Sequence, residues 1–367
     1  MFGYIRGDGE SMRWFWLYRP QLPSARAQAI QVVHMAHAMA CRGHEVTLWA
    51  DPAGEERLGV DKILDYYGLA PHPGLRLGIL PRSRTLASIA FRAAWVRWAR
   101  GGGVVYARSK RYAMEVARFF PKLPIVLEAH EVDSLQAMER GEDPESWRVL
   151  EREVLSVARG VVANAGGTLR LLKEVHPELP PSRVSHNGCH GDRIRAPRDG
   201  EGIGYVGSIR ASKGLTDLAS AAARLEPSVT LVSPDDAQEL VRMSDGKLRV
   251  EPELRHMEVP DRLAQFRVLV LPLAPGWFGE ELTSPLKLWD YLAAGVPIVA
   301  ANTPAMRDAA EGMFHPYEPG NVDDLVRALQ EAYSDEHLRK RLLSRARVRT
   351  WAQRAAEVDD FVCEVLP

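Results

Sequence analysis

Short apolar runs alternate with amphipathic segments along almost the whole chain, and no other feature restricts the fold so strongly. Residues 13–18 (RWFWLY) read as a strand, residues 25–42 as a helix closed by Gly43, and the next strand lies at 46–49. The alternation continues through 104–107, 125–128 and 161–163, each apolar run being followed by a helical pattern. Pro180 and Pro181 interrupt it before a short strand at 184–186. Residues 195–202 (RAPRDGEG) are polar and turn-rich, which marks them as a linker. A second alternation follows, with strands at 203–206, 229–232, 268–271 and 296–300. Strands alternating with helices imply βαβ units and parallel sheets. The expected fold is α/β, with two doubly wound domains joined near residue 200.

A chain of 367 residues suits two domains, and 46% hydrophobic with 26% charged residues supplies a large core under a soluble surface. The net charge of −1 gives no general attraction for nucleic acid. Three scattered cysteines, Cys41, Cys189 and Cys363, build no disulfide framework and point to a reducing compartment. No apolar run reaches the length of a spanning helix, and the first residues lack a signal-peptide pattern. Residues 1–11 are expected to precede the fold, and a cytoplasmic protein is the expectation. One stretch departs from the overall charge balance. Between Arg76 and Arg118 stand ten basic residues and one acid, Glu115, so weak peripheral contact with an anionic inner membrane face is a further expectation. Within that stretch, residues 84–100 (RTLASIAFRAAWVRWAR) fit either a core helix with solvated arginines or an interfacial helix on anionic lipid.

Gly202, Gly204 and Gly207 spell G-x-G-x-x-G. In a dinucleotide-binding turn such glycines follow a strand and open a helix. Here Gly202 and Gly204 lie before or within the apolar run and only Gly207 follows it, so the match is accidental. What remains is a strand, the loop GSIRASKG from Gly207 to Gly214, and then a helix. A cationic loop at a helix N-terminus suits a diphosphate. Only eight of the 47 basic residues are lysine, and two of these, Lys213 and Lys287, fall at helix starts beyond the linker. Lys287 lies in TSPLKLWDYLAAGVPIVA, where Ser284 fits an N-cap, Pro285 the first helical position and Gly295 the residue past the end. At about 100° per residue, Lys287, Asp290, Tyr291 and Ala294 share one arc, opposite Leu288, Trp289, Leu292 and Ala293. The cation and carboxylate make either an exposed ion pair or a clamp for a phosphate and a sugar hydroxyl.

Taken in order, these pieces resemble one family. RAQAIQVVHMAHAMACRGHEVTLWAD, IVLEAHEVDS with His130, SHNGCHGDR with Asn187-Gly188, YVGSIRASKGL, SPLKLWDYLAAGVPIVA and the terminal WAQRAAEVDDFVCEVL are similar to the retaining glycosyltransferases of family 4. The resemblance runs from about Met12 to the C-terminus. It implies the GT-B architecture, two Rossmann-like doubly wound domains facing a central cleft. The acceptor-side domain would span 12–197 and the donor domain 198–350, with a C-terminal helix at 351–367 crossing back to the first domain. It implies transfer of a hexose from a nucleoside diphosphate sugar to a glycan, lipid-linked or small-molecule acceptor, with retention and with no metal or other cofactor.

By the same resemblance His130, Lys213 and Arg210 are catalytic. Gly207, Ser208, Gly214, Glu281, Leu282, Thr283, Ser284, Lys287 and Asp290 bind the donor, and Ser24, Ala25 and Arg26 face the acceptor. Some positions depart from the family pattern. The family's arginine five residues before the loop lysine is Ser208 here, with Arg210 as the substitute. Its paired glutamates fall on Leu282 and Asp290, which leaves Glu280 or Glu281 to read the hexose. The usually glycine-rich first loop is Pro23-Ser24-Ala25-Arg26-Ala27. These departures keep open a sugar-nucleotide-binding protein without transfer, and the fold also admits a nucleotide-sugar epimerase.

Two other constellations stand apart from this reading. His186, Cys189 and His190 with Asp192 match no complete tetrahedral ligand set, so no metal site is expected. Gly166-Gly167-Thr168 opens a helix after a strand, either as a tight turn or as a second phosphate or acceptor contact.

Overall fold

The computed structural model describes residues 11–54, 58–189, 195, 200–276 and 286–366. The chain divides into two compact units, one running up to His186 and resuming at Trp351, the other Asn187–Thr350. The division falls at Asn187 rather than at 198. The Cys189 amide donates to the Arg349 carbonyl, and Cys189 pairs with Thr350 in a parallel bridge, so both ends of the second unit are tied together.

In the first unit the strands are β1 (Arg13–Leu17), β2 (Gln21–Leu22), β3 (Glu45–Pro52), β4 (Leu75–Ile79), β5 (Val104–Ala107), β6 (Ile125–Ala129), β7 (Gly160–Ala163) and β8 (Ser182–Val184). Among the described residues they form one sheet ordered β2-β3-β1-β5-β6-β7-β8, with β4 against β3. Every pairing is parallel. Trp14 of β1 lies opposite Val46 on one side and Val104 on the other. A parallel strand covered on both faces needs apolar residues at odd and even positions alike. That is why Trp14, Phe15, Trp16 and Leu17 are all fully buried. Residues 25–42 become the helix Ala27–Cys41. The terminal helix Trp351–Val365 packs against it and belongs to the first unit. Asp359 of that helix accepts from Arg42 and touches His44 at 3.0 Å.

The second unit contains β9 (Ile203–Val206), β10 (Val229–Val232), β11 (Leu248–Glu251), β12 (Val268–Leu271), β13 (Ile298–Ala301) and β14 (His315–Tyr317). Their order is β11-β10-β9-β12-β13-β14, again parallel throughout. From β9 the chain builds outward to β10 and β11, then returns to lay β12 on the other side. Ligands in such sheets bind at the carboxyl ends beside this reversal of strand order. The reversal places the loop after β9 at the position that matters. Among the described residues, no helix is long and apolar enough to cross a membrane.

Candidate functional site

Glycines shape β9 and the loop after it, each for a different reason. Gly202 precedes the strand at φ +66°. Gly204 lies under the ring of Phe266, where a Cβ would come within 2.3 Å of it. Gly207 follows the strand at φ +142°, and a Cβ there would lie 2.0 Å from the Lys287 ammonium. The chain then passes Arg210, makes a single 3₁₀ turn at Ala211–Lys213, and bends at Gly214 in the left-handed region into the helix Leu215–Ala222. Gly214 also passes within 2.7 Å of the Leu273 backbone, measured from where its Cβ would be. The loop is therefore pinned between the ends of β9 and β12.

Lys287 reaches into this loop from the helix Leu286–Ala293. Its Nζ donates to the Tyr205 hydroxyl at 2.7 Å and lies 4.0 Å from the centre of the Tyr205 ring. Tyr291, one turn further on, accepts from the Val206 amide at 2.9 Å. Burial drives the Lys287 ammonium well below its ordinary pKa, and the charge of Lys213 adds to the effect. Lys213 is lowered by burial first and by Arg210 second. Among the described residues neither lysine has a carboxylate partner. Two half-buried cations, each lowered by burial and then by a neighbouring positive charge, make an environment short of negative charge. An anion of two or more charges would relieve it.

The expected arcs of this helix hold only in part. Lys287 and Asp290 are half-buried, but Tyr291 and Ala294 are as buried as Leu288, Trp289, Leu292 and Ala293. The helix is enclosed nearly all round because Tyr291 braces β9. Asp290 lies near Cys189, whose thiol is pushed up to about 12 by burial and by that carboxylate. Ser208 precedes Ile209, whose amide donates to Asp235 at 2.7 Å. Glu280, Glu281, Leu282, Thr283, Ser284 and Pro285 lie outside the described residues, as do His190 and Asp192.

In the first unit His130 follows β6 and is 12% exposed, with Nε2 at 3.3 Å from Glu128 Oε2. Glu128 is fully buried and accepts from Arg354 of the terminal helix at 2.8 Å and from Gln31 at 2.7 Å. Arg108 donates to the other end of Gln31 at 3.0 Å. Burial and the Arg108 charge lower the His130 pKa to about 4, against the opposing pull of Glu128. Burial would raise the Glu128 carboxyl, but His130, Arg354 and Arg108 together hold it well below the usual carboxylate range. His130 is thus a neutral imidazole at pH 7.

Ser24 is fixed by Tyr67, whose hydroxyl accepts from the Ser24 amide at 2.8 Å and donates to its carbonyl at 2.9 Å. Ala25 and Arg26 are exposed, and Arg26 caps the helix Ala27–Cys41 without a side-chain bond. Gly166, Gly167 and Thr168 open the helix Gly166–Val175, and Thr168 is fully buried. Its buried hydroxyl donates to Asn164 at 3.0 Å. In the helix Arg84–Ala99, Trp95 and Trp98 are core residues, whereas Leu86 and Ile89 are 56% and 60% exposed.

Residues 200–335 match the family Glycosyl transferases group 1. That stretch lies within the second unit. No curated protein matches the chain. Among solved structures, sucrose-phosphate synthase from Thermosynechococcus elongatus is similar over 96% of this chain and 99% of its own, with a TM-score of 0.73 and 16% identity. Anabaena HepE, solved with UDP and glucose, is similar over 96% of this chain and 100% of its own, with a TM-score of 0.68 and 15% identity. WaaG, a glycosyltransferase involved in lipopolysaccharide biosynthesis, covers 95% of both chains with a TM-score of 0.60 and 14% identity. These likenesses show the GT-B fold, as expected from the sequence.

In the second unit, sequence reading missed Tyr205, because it reads as a core aromatic on an apolar run, and placed Tyr291 on the arc of Lys287 without giving it a role. Arg354 was also missed, though it carried a signal. It stands with Trp351, Ala355 and Val358 on one buried helix stripe, where a cation demands a partner.

Proposed function

We propose that this protein is a retaining glycosyltransferase that moves a hexose from a nucleoside diphosphate sugar to a glycan, lipid-linked or small-molecule acceptor, without a metal ion or other cofactor. The carrying observation is the group Lys213, Lys287 and Arg210, in which each lysine is lowered by burial and then by a neighbouring cation, where strand order reverses in the unit that matches Glycosyl transferases group 1. Breaking the bond between the sugar's C1 and the phosphate oxygen leaves negative charge on the diphosphate. Fixed cations in a poorly hydrated site stabilise that charge without reorganising. Lys213 and Arg210 take the departing phosphate, and Lys287, held by Tyr205 over Gly207, takes its neighbour. Asp290 accepts from ribose hydroxyls. His130, neutral at pH 7 with its buried Nε2 facing Glu128, leaves Nδ1 to accept from a sugar hydroxyl. The resemblance to retaining enzymes supports attack on the face the diphosphate leaves. The acceptor oxygen bonds to C1 as the C1–phosphate bond breaks, and its proton passes to the departing phosphate oxygen. UDP and glucose in the similar HepE structure support a diphosphate-linked donor.

A panel of nucleotide sugars tests this reading by thermal shift and by release of nucleoside diphosphate in excess chelator. One donor is expected to raise Tm and to be consumed when an acceptor fraction is added, at a rate the chelator leaves unchanged. Stabilisation by no nucleotide sugar, or turnover that stops with chelation, would contradict it.

A further inference from the structure

Glu128 lies in β6 and His130 stands one residue past its end. Side chains two residues apart on extended chain share a face, which brings the imidazole beside the carboxylate. The two oxygens of that carboxylate are divided. Oε1 accepts from Arg354 at 2.8 Å and from Gln31 at 2.7 Å, whereas Oε2 lies 3.3 Å from His130 Nε2. Among the described residues neither Oε2 nor Nε2 has any other hydrogen-bond partner. A carboxylate only accepts, so the Nε2 facing it must carry the ring proton, and Nδ1 keeps its lone pair.

Arg354 is itself fixed. It lies in the first turn of the helix Trp351–Val365, which begins where the chain re-enters the first unit. Its Nε donates at 3.2 Å to the carbonyl of Ser185, which stands directly before His186, where the chain leaves that unit. One fully buried guanidinium thus binds the outgoing segment and Glu128 together. The charges acting on the imidazole are Arg108, Glu128 and Arg354. Tyr106 of β5 acts on Glu128 as a neutral phenol, which burial keeps protonated. The carboxylate favours a second proton on the ring, and the two arginines oppose it. A buried carboxylate short of one cation would draw that proton on, turning Nδ1 from an acceptor into a donor. Gln31 brings no charge and cannot prevent this. Arg354 can, although it does not touch the ring.

We propose that Arg354 is a positioning residue, which through Glu128 keeps the single proton of His130 on Nε2 and leaves Nδ1 free to accept from a sugar hydroxyl. That a sugar meets Nδ1 rests on the function proposed above. The protonation of the ring does not.

Nitrogen-15 NMR of the full chain with labelled histidines, free of donor and acceptor, reads the proton on each ring nitrogen, and His130→Gln assigns the signal. In the wild type Nε2 alone is expected to carry a proton at pH 7. Arg354→Gln removes the charge and keeps an amide donor, and is expected to raise the proton affinity of His130 about ten-fold. Arg354→Lys, which restores the charge, is expected to restore the wild-type titration. Should Arg354→Gln fail to fold, Glu128→Gln/Arg354→Gln replaces the buried ion pair by two amides. An amide offers the ring a donor as well as an acceptor, so a mixture of both neutral tautomers is expected there. Nucleoside diphosphate affinity should stay the same in every variant, so a fault in the donor site is read separately. Where transfer is measured, the acid limb of its pH profile should move to higher pH in Arg354→Gln. An unshifted titration in Arg354→Gln, a shift that Arg354→Lys does not reverse, or a lone Nε2–H tautomer in the double variant would overturn the proposal.

Discussion

His130 takes a proton only in acid solution, and that has a consequence for stability. With a folded pKa of about 4 and an ordinary value of 6.5, the unfolded chain binds the proton first as pH falls. Stability from this residue is therefore complete above about pH 6.5, is lost as pH falls, and stops changing below about pH 4. The loss is on the order of 3 kcal/mol. Urea midpoints measured from pH 7 to pH 4 should fall less steeply in His130→Gln than in the wild type; parallel curves would show that His130 is not held neutral. The residue itself was legible from its place after an apolar run. Its setting was not, because Arg354, Gln31 and Arg108 reach it and its neighbour Glu128 from three distant segments. The same holds for Lys213 and Lys287. Their helix starts were readable, but the contact of Lys287 with Tyr205 and Gly207 needs the sheet to be assembled first.

At the scale of elements, the strand, loop and helix from Ile203 to Ala222 act as one device. Gly207 is the position where the loop and the Leu286–Ala293 helix meet most closely. Gly207→Ala would force the Lys287 ammonium out of its place and strain a backbone at φ +142° by ~1–3 kcal/mol. The variant should fold, with nucleoside diphosphate affinity lowered about ten-fold, the effect of one lost charge-assisted contact; calorimetry that finds wild-type affinity would remove Lys287 from the site. Buried strands such as β1, β5, β7, β10 and β12 were legible because they are apolar on both faces. Edge strands β4 and β11 were not. Only one face of each is covered, so their residues, LRLGI and LRVE, mix exposed arginines with apolar side chains.

For the whole molecule, the α/β class and the parallel sheets followed from the alternation of apolar runs. The unit boundary at Asn187 did not, since it depends on the bridge between Cys189 and Thr350. The basic stretch from Arg76 to Arg118 presents Leu86 and Ile89 beside its arginines, while its tryptophans Trp95 and Trp98 are buried. Weak association with anionic vesicles at low salt is expected through those two aliphatic side chains, fading as salt screens the charge. Leu86→Ser/Ile89→Ser should abolish co-sedimentation; binding unaffected by the double substitution would assign it elsewhere.

A nucleoside diphosphate is expected to neutralise the buried, crowded cations of the second unit. Calorimetry of Lys213→Ala with the tightest-binding nucleoside diphosphate and with its parent nucleoside tests this most directly. A loss of ~1.5–3 kcal/mol, ten- to a hundred-fold, is expected for the diphosphate and almost none for the nucleoside. Equal losses for both ligands, or no loss for either, would contradict it.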